Sequence, residues 1–122
     1  MMTNEALKLF GITPTSISEQ YPGQLSLVDK IILLDGSTGE TKTVEDKSAI
    51  QGWLNRIKLI TLYPDENQED RSGFRFRISL YEGESKKLGF IATAINGVYY
   101  QPNEQLYEYI RSLFEEQFGR TF

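Results

Sequence analysis

The pattern that decides the fold lies at residues 73–81, which read GFRFRISLY. Apolar and polar side chains alternate along this stretch. The apolar set is Phe74, Phe76, Ile78 and Leu80, and the intervening set is Arg75, Arg77, Ser79 and Tyr81. Since consecutive strand residues point to opposite faces of a sheet, the alternation predicts a strand with one buried face and one outward face.

The chain that follows this strand is predicted to continue the sheet as a meander. A turn at residues 82–85 leads to a partner strand at residues 87–95. Asn96-Gly97 comes next, and both residues tolerate the positive φ angles of a type I′ hairpin turn. Residues 98–100, which read VYY, begin the last strand, so three consecutive strands are expected.

The chain that precedes residues 73–81 predicts a hairpin and one further strand. Residues 27–34 are mainly branched and apolar, residues 35–39 form a turn, and residues 40–44 return as a polar strand at the sheet edge. Residues 59–63, which read LITLY and precede Pro64, predict another strand.

Two helices are predicted from apolar side chains spaced three or four residues apart. The first spans residues 45–57, and Gly52 is expected to let it approach the sheet closely. The second spans residues 104–118, between a capping Asn103 and a terminating Gly119. The apolar stripe of the first helix comprises Ile50, Trp53, Leu54 and Ile57.

The second helix also carries Tyr107 and Phe114 to the side of its main stripe. Two interpretations are open. These rings form a contact surface for another chain, or the helix is buried on more than one side.

The order of elements predicts an α+β fold, because parallel α/β folds alternate strand and helix singly. We expect an antiparallel sheet, made of a hairpin plus a three-stranded meander, with two helices packed on one face. The length of 122 residues fits one domain, predicted at residues 27–122. Residues 1–26 are predicted to form an N-terminal arm, with a short helix at residues 5–10 and then loop.

Composition excludes several kinds of function. The chain contains neither histidine nor cysteine, so Ser–His–Asp and Cys–His catalytic arrangements cannot form. The net charge of −4 opposes nucleic-acid binding, which usually leaves a basic footprint. No stretch reaches the roughly 20 apolar residues that a membrane span requires. No cofactor, metal or catalytic residue is predicted.

The candidate partner-binding residues lie on the outward face of the meander: Arg75, Arg77, Tyr81 and Tyr99. Arginine and tyrosine are enriched where protein surfaces bind partners. The alternative is a solvated sheet face whose arginines pair with glutamates on neighbouring strands.

Two groups of acidic residues are candidates for metal binding or catalysis. The loop at residues 65–73 holds four carboxylates but lacks the spacing of a calcium-binding EF-hand loop, so a solvated charge run is expected. Paired carboxylates for acid–base chemistry are available among Asp29, Glu40, Glu45 and Asp46, although sequence cannot place them across a cleft.

Three segments resemble small uncharacterised domains of Gram-positive bacteria, which are often the extracytoplasmic part of lipoproteins. They are residues 30–33 (KIIL), 45–50 (EDKSAI) and 96–100 (NGVYY). The resemblance spans about residues 27–118, rests on hydrophobic pattern and turns, and implies no activity. The sequence departs from it in having no cysteine for lipid attachment and no leader.

These observations favour a non-enzymatic protein-binding or regulatory module whose partner is another protein. The alternatives are a small acidic inhibitor or immunity-type protein and a carboxylate-based hydrolase. The compartment stays open, being cytoplasmic as the chain stands and extracytoplasmic if a leader was removed. The oligomeric state is also open.

Overall fold

A computed structural model of the protein describes residues 3–122 and contains one open antiparallel sheet. The six strands lie in the order β2-β1-β3-β4-β5-β6. Their bounds are β1 Lys30–Asp35, β2 Thr41–Val44, β3 Phe76–Glu82, β4 Ser85–Ile91, β5 Ala94–Ile95 and β6 Val98–Tyr99. The α-helices are α1 Asn4–Leu9, α2 Ile17–Gln20, α3 Lys47–Ile57 and α4 Glu104–Phe118, and Leu25–Leu27 forms a 3₁₀ turn. The predicted α+β class is confirmed.

Strand β3 lies inside the sheet, between β1 and β4. Its alternating pattern gives it a row of buried side chains. Ile78 and Leu80 are fully buried. Arg77, which lies between two buried residues of β3, is exposed. Strand β1 pairs with β3 along its whole length, from Lys30 opposite Tyr81 to Asp35 opposite Phe76. The predicted β1–β2 hairpin forms, with β2 at the sheet edge.

Residues 59–63 do not form the predicted strand. Leu62 and Pro64 make only isolated bridges, to Thr15 and Tyr100. Proline lacks the backbone N–H that a ladder needs, so the segment cannot continue as a paired strand.

The predicted strand at residues 87–95 is divided in two. Strand β4 ends at Ile91, and the chain turns at Ala92-Thr93 so that β5 pairs back onto β4. This turn contains none of the Gly, Pro, Asn or Asp residues that usually mark one, so the sequence pattern missed it. The next turn is the predicted one, with φ of 51° at Asn96 and 79° at Gly97.

Helix α4 forms with the predicted bounds and the predicted Asn103 cap, and α3 begins at Lys47, two residues later than predicted. The Asp46 carboxylate accepts hydrogen bonds from the first turn of α3, and Asn103 does the same for α4. Gly119 ends α4 in the left-handed conformation. The two helices are joined where the Trp53 indole N–H donates to the Tyr109 carbonyl oxygen at 3.0 Å.

Both helices pack on one face of the sheet, and their buried stripes share one core with the inward side chains of the strands. Phe114 is completely buried, with its ring centroid 4.5 Å from that of Phe76. Phe114 therefore lies on the buried stripe of α4 with Leu106, Ile110 and Leu113, and Tyr107 packs half-buried against the same core. Phe74, predicted on the buried face, lies outside this core, and Gly52 faces open space instead of the sheet.

The chain before β1 also contributes to the core. Ile17, Tyr21 and Val28 are buried in the same cluster as the sheet. The Tyr21 hydroxyl donates to the Glu82 carboxylate at 2.5 Å, which ties this segment to the end of β3. Among residues 3–122, no helix combines the length and apolar character needed to cross a membrane.

Candidate binding surface

The candidate surface lies on the face of the sheet opposite α3 and α4, here called the outer face. Strand register puts three rows of side chains there. Lys30, Ile32 and Leu34 come from β1, Arg77, Ser79 and Tyr81 from β3, and Lys86, Gly89 and Ile91 from β4. Helices α3 and α4 leave the outer face uncovered. The loop before β3 folds over the end of this face that β5 and β6 form.

A cavity of about 460 Å³ opens on the outer face. Its charged lining residues are Arg71, Arg77 and Lys86, and no carboxylate lines it. The remaining lining residues are Gly73, Phe74, Gly89, Phe90, Ile91, Thr93, Ala94, Asn96, Gly97 and Tyr99. A locally basic cavity therefore exists in a chain whose net charge is −4.

The Arg77 side chain is held on one wall of the cavity by Phe74. The guanidinium carbon lies 4.2 Å from the centre of the Phe74 ring, a cation–π contact. Phe74 is itself fixed because its backbone packs against Gly36, whose missing side chain makes room for it. The contact restricts the arginine without using its N–H donors.

Arg71 also lines the cavity and is held by more contacts than Arg77. Its guanidinium carbon lies 4.4 Å from the centre of the Tyr99 ring. Its Nη2 donates to the Asp65 carboxylate at 3.2 Å and to the Asn67 carbonyl oxygen at 2.6 Å. The loop that carries it is fastened to β6 by Gln68, whose amide bonds both the N–H and the carbonyl oxygen of Tyr99.

Asp65 supports this loop as a charged acceptor. The Asn67 backbone N–H at 2.9 Å, together with Arg71, lowers the pKa of the Asp65 carboxyl, and partial burial opposes the shift. The carboxylate is therefore ionised near neutral pH and neutralises part of the Arg71 charge.

Lys86 lines the cavity with its side chain over Gly89, which has no side chain of its own. A Cβ atom at Gly89 would lie 3.0 Å from both Cε and Nζ of Lys86, and 3.8 Å from Oγ of Ser79. The lysine side chain thus runs along β4 and places its ammonium group next to Gly89. Neither Lys86 nor Arg77 forms a salt bridge within residues 3–122.

The four predicted binding residues are separated by the structure. Arg77 and Tyr99 both line the cavity. Tyr81 lies on the same face outside it, with the Lys30 ammonium 5.0 Å from its ring centre. Arg75 precedes β3 and lies elsewhere, donating to the Tyr107 hydroxyl on α4 at 3.3 Å.

The lining residues absent from the predicted set include Arg71, Phe74 and Lys86. The sequence pattern placed Arg71 in a solvated charge run and Phe74 on the buried face of the strand. The positive φ of 87° at Gly73 breaks the strand alternation just before Phe74, and this glycine was the available signal.

Three of the four acidic candidates for acid–base chemistry make structural contacts, and the fourth, Glu45, is exposed just before α3. The Asp29 carboxylate accepts from the Gly83 N–H, Glu40 lies near Arg120, and Asp46 caps α3. Asp29 and Glu40 lie at opposite ends of the β1–β2 hairpin. Over the described part of the chain, no group of three acidic side chains is arranged to hold a metal ion.

Comparison with models of known protein families, with curated proteins and with solved structures finds no match to this chain. The resemblance to small extracytoplasmic domains of Gram-positive bacteria stays a prediction. The geometry of the outer face is therefore the basis for proposing a function.

Proposed function

We propose that the protein is a non-enzymatic binding module that holds an acidic segment of another protein on its outer face. The observation that carries this proposal is the basic cavity, whose lining includes three cationic side chains and no carboxylate. Two of those cations, Arg77 and Lys86, are left without a salt bridge in the described chain.

The composition of the outer face supports a protein partner. Half-buried Ile32 and Leu34 on β1 adjoin the basic region, so a partner can bury apolar area while its acidic groups meet the cations. Interfaces commonly combine an apolar centre with arginine and aromatic anchors. The opposite charges of the cavity and the acidic segment would mainly raise the association rate and the specificity for the partner.

Binding is favoured over hydrolysis by the placement of the acids. A carboxylate-based hydrolase needs two acids facing one cleft, and at least one with a raised pKa. The pKa values of the Asp35 and Asp65 carboxyls are both shifted downward, chiefly by the backbone N–H groups of Ser37 and Asn67. Each serves as a hydrogen-bond acceptor within its own turn or loop.

Charge reversal in the cavity tests the proposal. Arg77→Glu and Lys86→Glu, singly and together, place negative charge where the acidic segment should lie. Lys42→Glu is the matched control, because Lys42 is exposed on β2 and does not line the cavity. Tagged proteins are used to capture partners from native cells, and each purified partner is then measured in a direct binding titration.

We expect the direct affinity to fall by at least about tenfold for each cavity variant and to stay unchanged for Lys42→Glu. The wild-type affinity should also weaken as salt is raised, since exposed charges are screened. Equal affinity of the wild-type protein and the double variant for every partner would refute the proposal. That result would favour the inhibitor-type alternative, in which the acidic side chains of this protein bind a basic target.

A further inference from the structure

We propose that the acidic group received by the cavity is a phosphate monoester on a side chain of the partner protein. This inference rests on the function proposed above and names the chemistry of the ligand. It follows from the charge of the cavity, from the way its donors are fixed and from its size.

The charge of the cavity matches a dianion better than a single carboxylate. Arg71 is partly neutralised by Asp65 at 3.2 Å, whereas Arg77 and Lys86 are not neutralised by any salt bridge in residues 3–122. About two positive charges therefore remain. A phosphorylated side chain carries roughly −1.5 to −2 at neutral pH, and a glutamate carries only about −1.

The two arginines are held in a way that suits phosphate oxygens. Each guanidinium lies against an aromatic ring, Arg77 on Phe74 and Arg71 on Tyr99. A planar guanidinium offers parallel N–H donors that bind phosphate oxygens in pairs. Arg77 is the arginine available for such paired donation, because Nη2 of Arg71 already donates to Asp65 and Asn67. Because the rings already restrict both side chains, little conformational entropy is lost when an oxyanion binds.

Lys86 adds a compact point charge to the same lining. Its position depends on Gly89, since a Cβ there would come within 3.0 Å of Nζ. The cavity volume of about 460 Å³ exceeds that of a phosphoryl group alone. The remaining space suits the side chain that bears the phosphate and its neighbours, in the size range of ligand clefts.

Peptide libraries provide the direct test. Nine-residue peptides with random flanks are immobilised, with a central phosphotyrosine, phosphoserine, glutamate or tyrosine. We expect the wild-type protein to be retained by at least one phosphorylated library and not by the tyrosine library. Peptides recovered from the retained library should bind about tenfold or more tightly than their glutamate versions, because charge-assisted hydrogen bonds are added.

Gly89→Ala tests the role of Lys86 without changing any charge. The new Cβ moves the ammonium group, which is the far end of a flexible side chain, so the fold is retained. We expect phosphopeptide affinity to fall about three- to tenfold while the thermal midpoint stays within a few degrees of wild type. Lys86→Met should weaken binding at least as much, and Lys42→Met should not.

The failure of this inference can be told apart from the failure of the proposed function. If captured partners depend on Arg77 and Lys86 but are recovered equally after phosphatase treatment of the lysate, the phosphate assignment is wrong and the protein-binding proposal stands. Equal retention by glutamate and phosphorylated libraries has the same meaning. If inorganic phosphate binds as tightly as the best phosphopeptide, the assignment of the ligand to a partner protein is overturned.

Discussion

Two glycines of this chain meet opposite surroundings, and replacing each with alanine should change the free energy of unfolding in opposite directions. At Gly36, in the turn after β1, a Cβ atom would lie 1.9 Å from the Phe74 carbonyl oxygen and 2.9 Å from its ring. At Gly52, inside α3 and exposed, a Cβ atom would meet nothing within 4 Å.

The cost at Gly36 follows from the contact. A relaxed carbon–oxygen contact is about 3.3 Å or longer, so the turn must move by roughly 1.4 Å. The Gly36 N–H donates to the Arg75 carbonyl oxygen at 2.8 Å, and this hydrogen bond resists the movement. Overpacking costs about 1–3 kcal/mol and a lost hydrogen bond about 0.5–1.5 kcal/mol. We expect Gly36→Ala to destabilise the protein by about 2–4 kcal/mol.

Gly52→Ala should stabilise the protein by about 0.5–1 kcal/mol. Alanine is the better residue inside a helix, since it loses less backbone entropy on folding. No neighbouring atom opposes the added methyl group.

Urea unfolding followed by the fluorescence of the single tryptophan, Trp53, measures both effects. This side chain is 7% exposed in the folded protein, so its emission should change on unfolding. With a slope of about 1.5–2 kcal/mol per molar urea, the midpoint should rise by about 0.3–0.7 M for Gly52→Ala and fall by about 1–2.7 M for Gly36→Ala. Circular dichroism should give the same midpoints if unfolding is two-state.

An unchanged midpoint for Gly36→Ala would refute the close packing of this turn against Phe74, and with it the fixed wall of the cavity. A clear loss of stability for Gly52→Ala would mean that α3 packs closely at this position after all.

Two further predictions concern a helix cap and an acidic group. Asn103→Ala removes the acceptor of the Leu106 N–H at 2.9 Å and should destabilise α4 by about 1 kcal/mol in the same urea assay. The pKa of the Asp35 carboxyl is lowered, first by the Ser37 N–H and also by Arg120, so its stabilising contribution is present above about pH 4 and is lost as the pH falls through the folded-state pKa. Asp35→Asn should therefore lower the urea midpoint near neutral pH and have a shrinking effect below about pH 4, and an equal effect at all pH values would contradict this assignment.

The candidate site was only partly predictable from the sequence. Alternation along β3 correctly placed Arg77 on the outer face, and the turn at Asn96-Gly97 brought Tyr99 into the lining of the same cavity. Arg75 continued the same alternation but lies outside the strand and contacts α4. The reason is that β3 begins only at Phe76, and pattern alone does not fix where pairing starts.

The sequence by itself determined the elements whose causes are local. The capping carboxamide of Asn103, the left-handed Gly119 and the type I′ turn act within a few residues, so their effects can be read along the chain. The two-residue period of β3 and the helical stripes likewise assigned the buried face of each long element.

The tertiary structure alone decided the basic cavity. Arg71 reaches the cavity because Gln68 bonds the loop that carries it to Tyr99. These two residues are 31 apart in sequence. Lys86 enters the cavity because Gly89 has no side chain to block it. Such contacts depend on which segments the sheet brings together, and their free energies exist only once the chain has folded. Local pattern could therefore predict the strand that carries the outer face, but not the cations that gather on it.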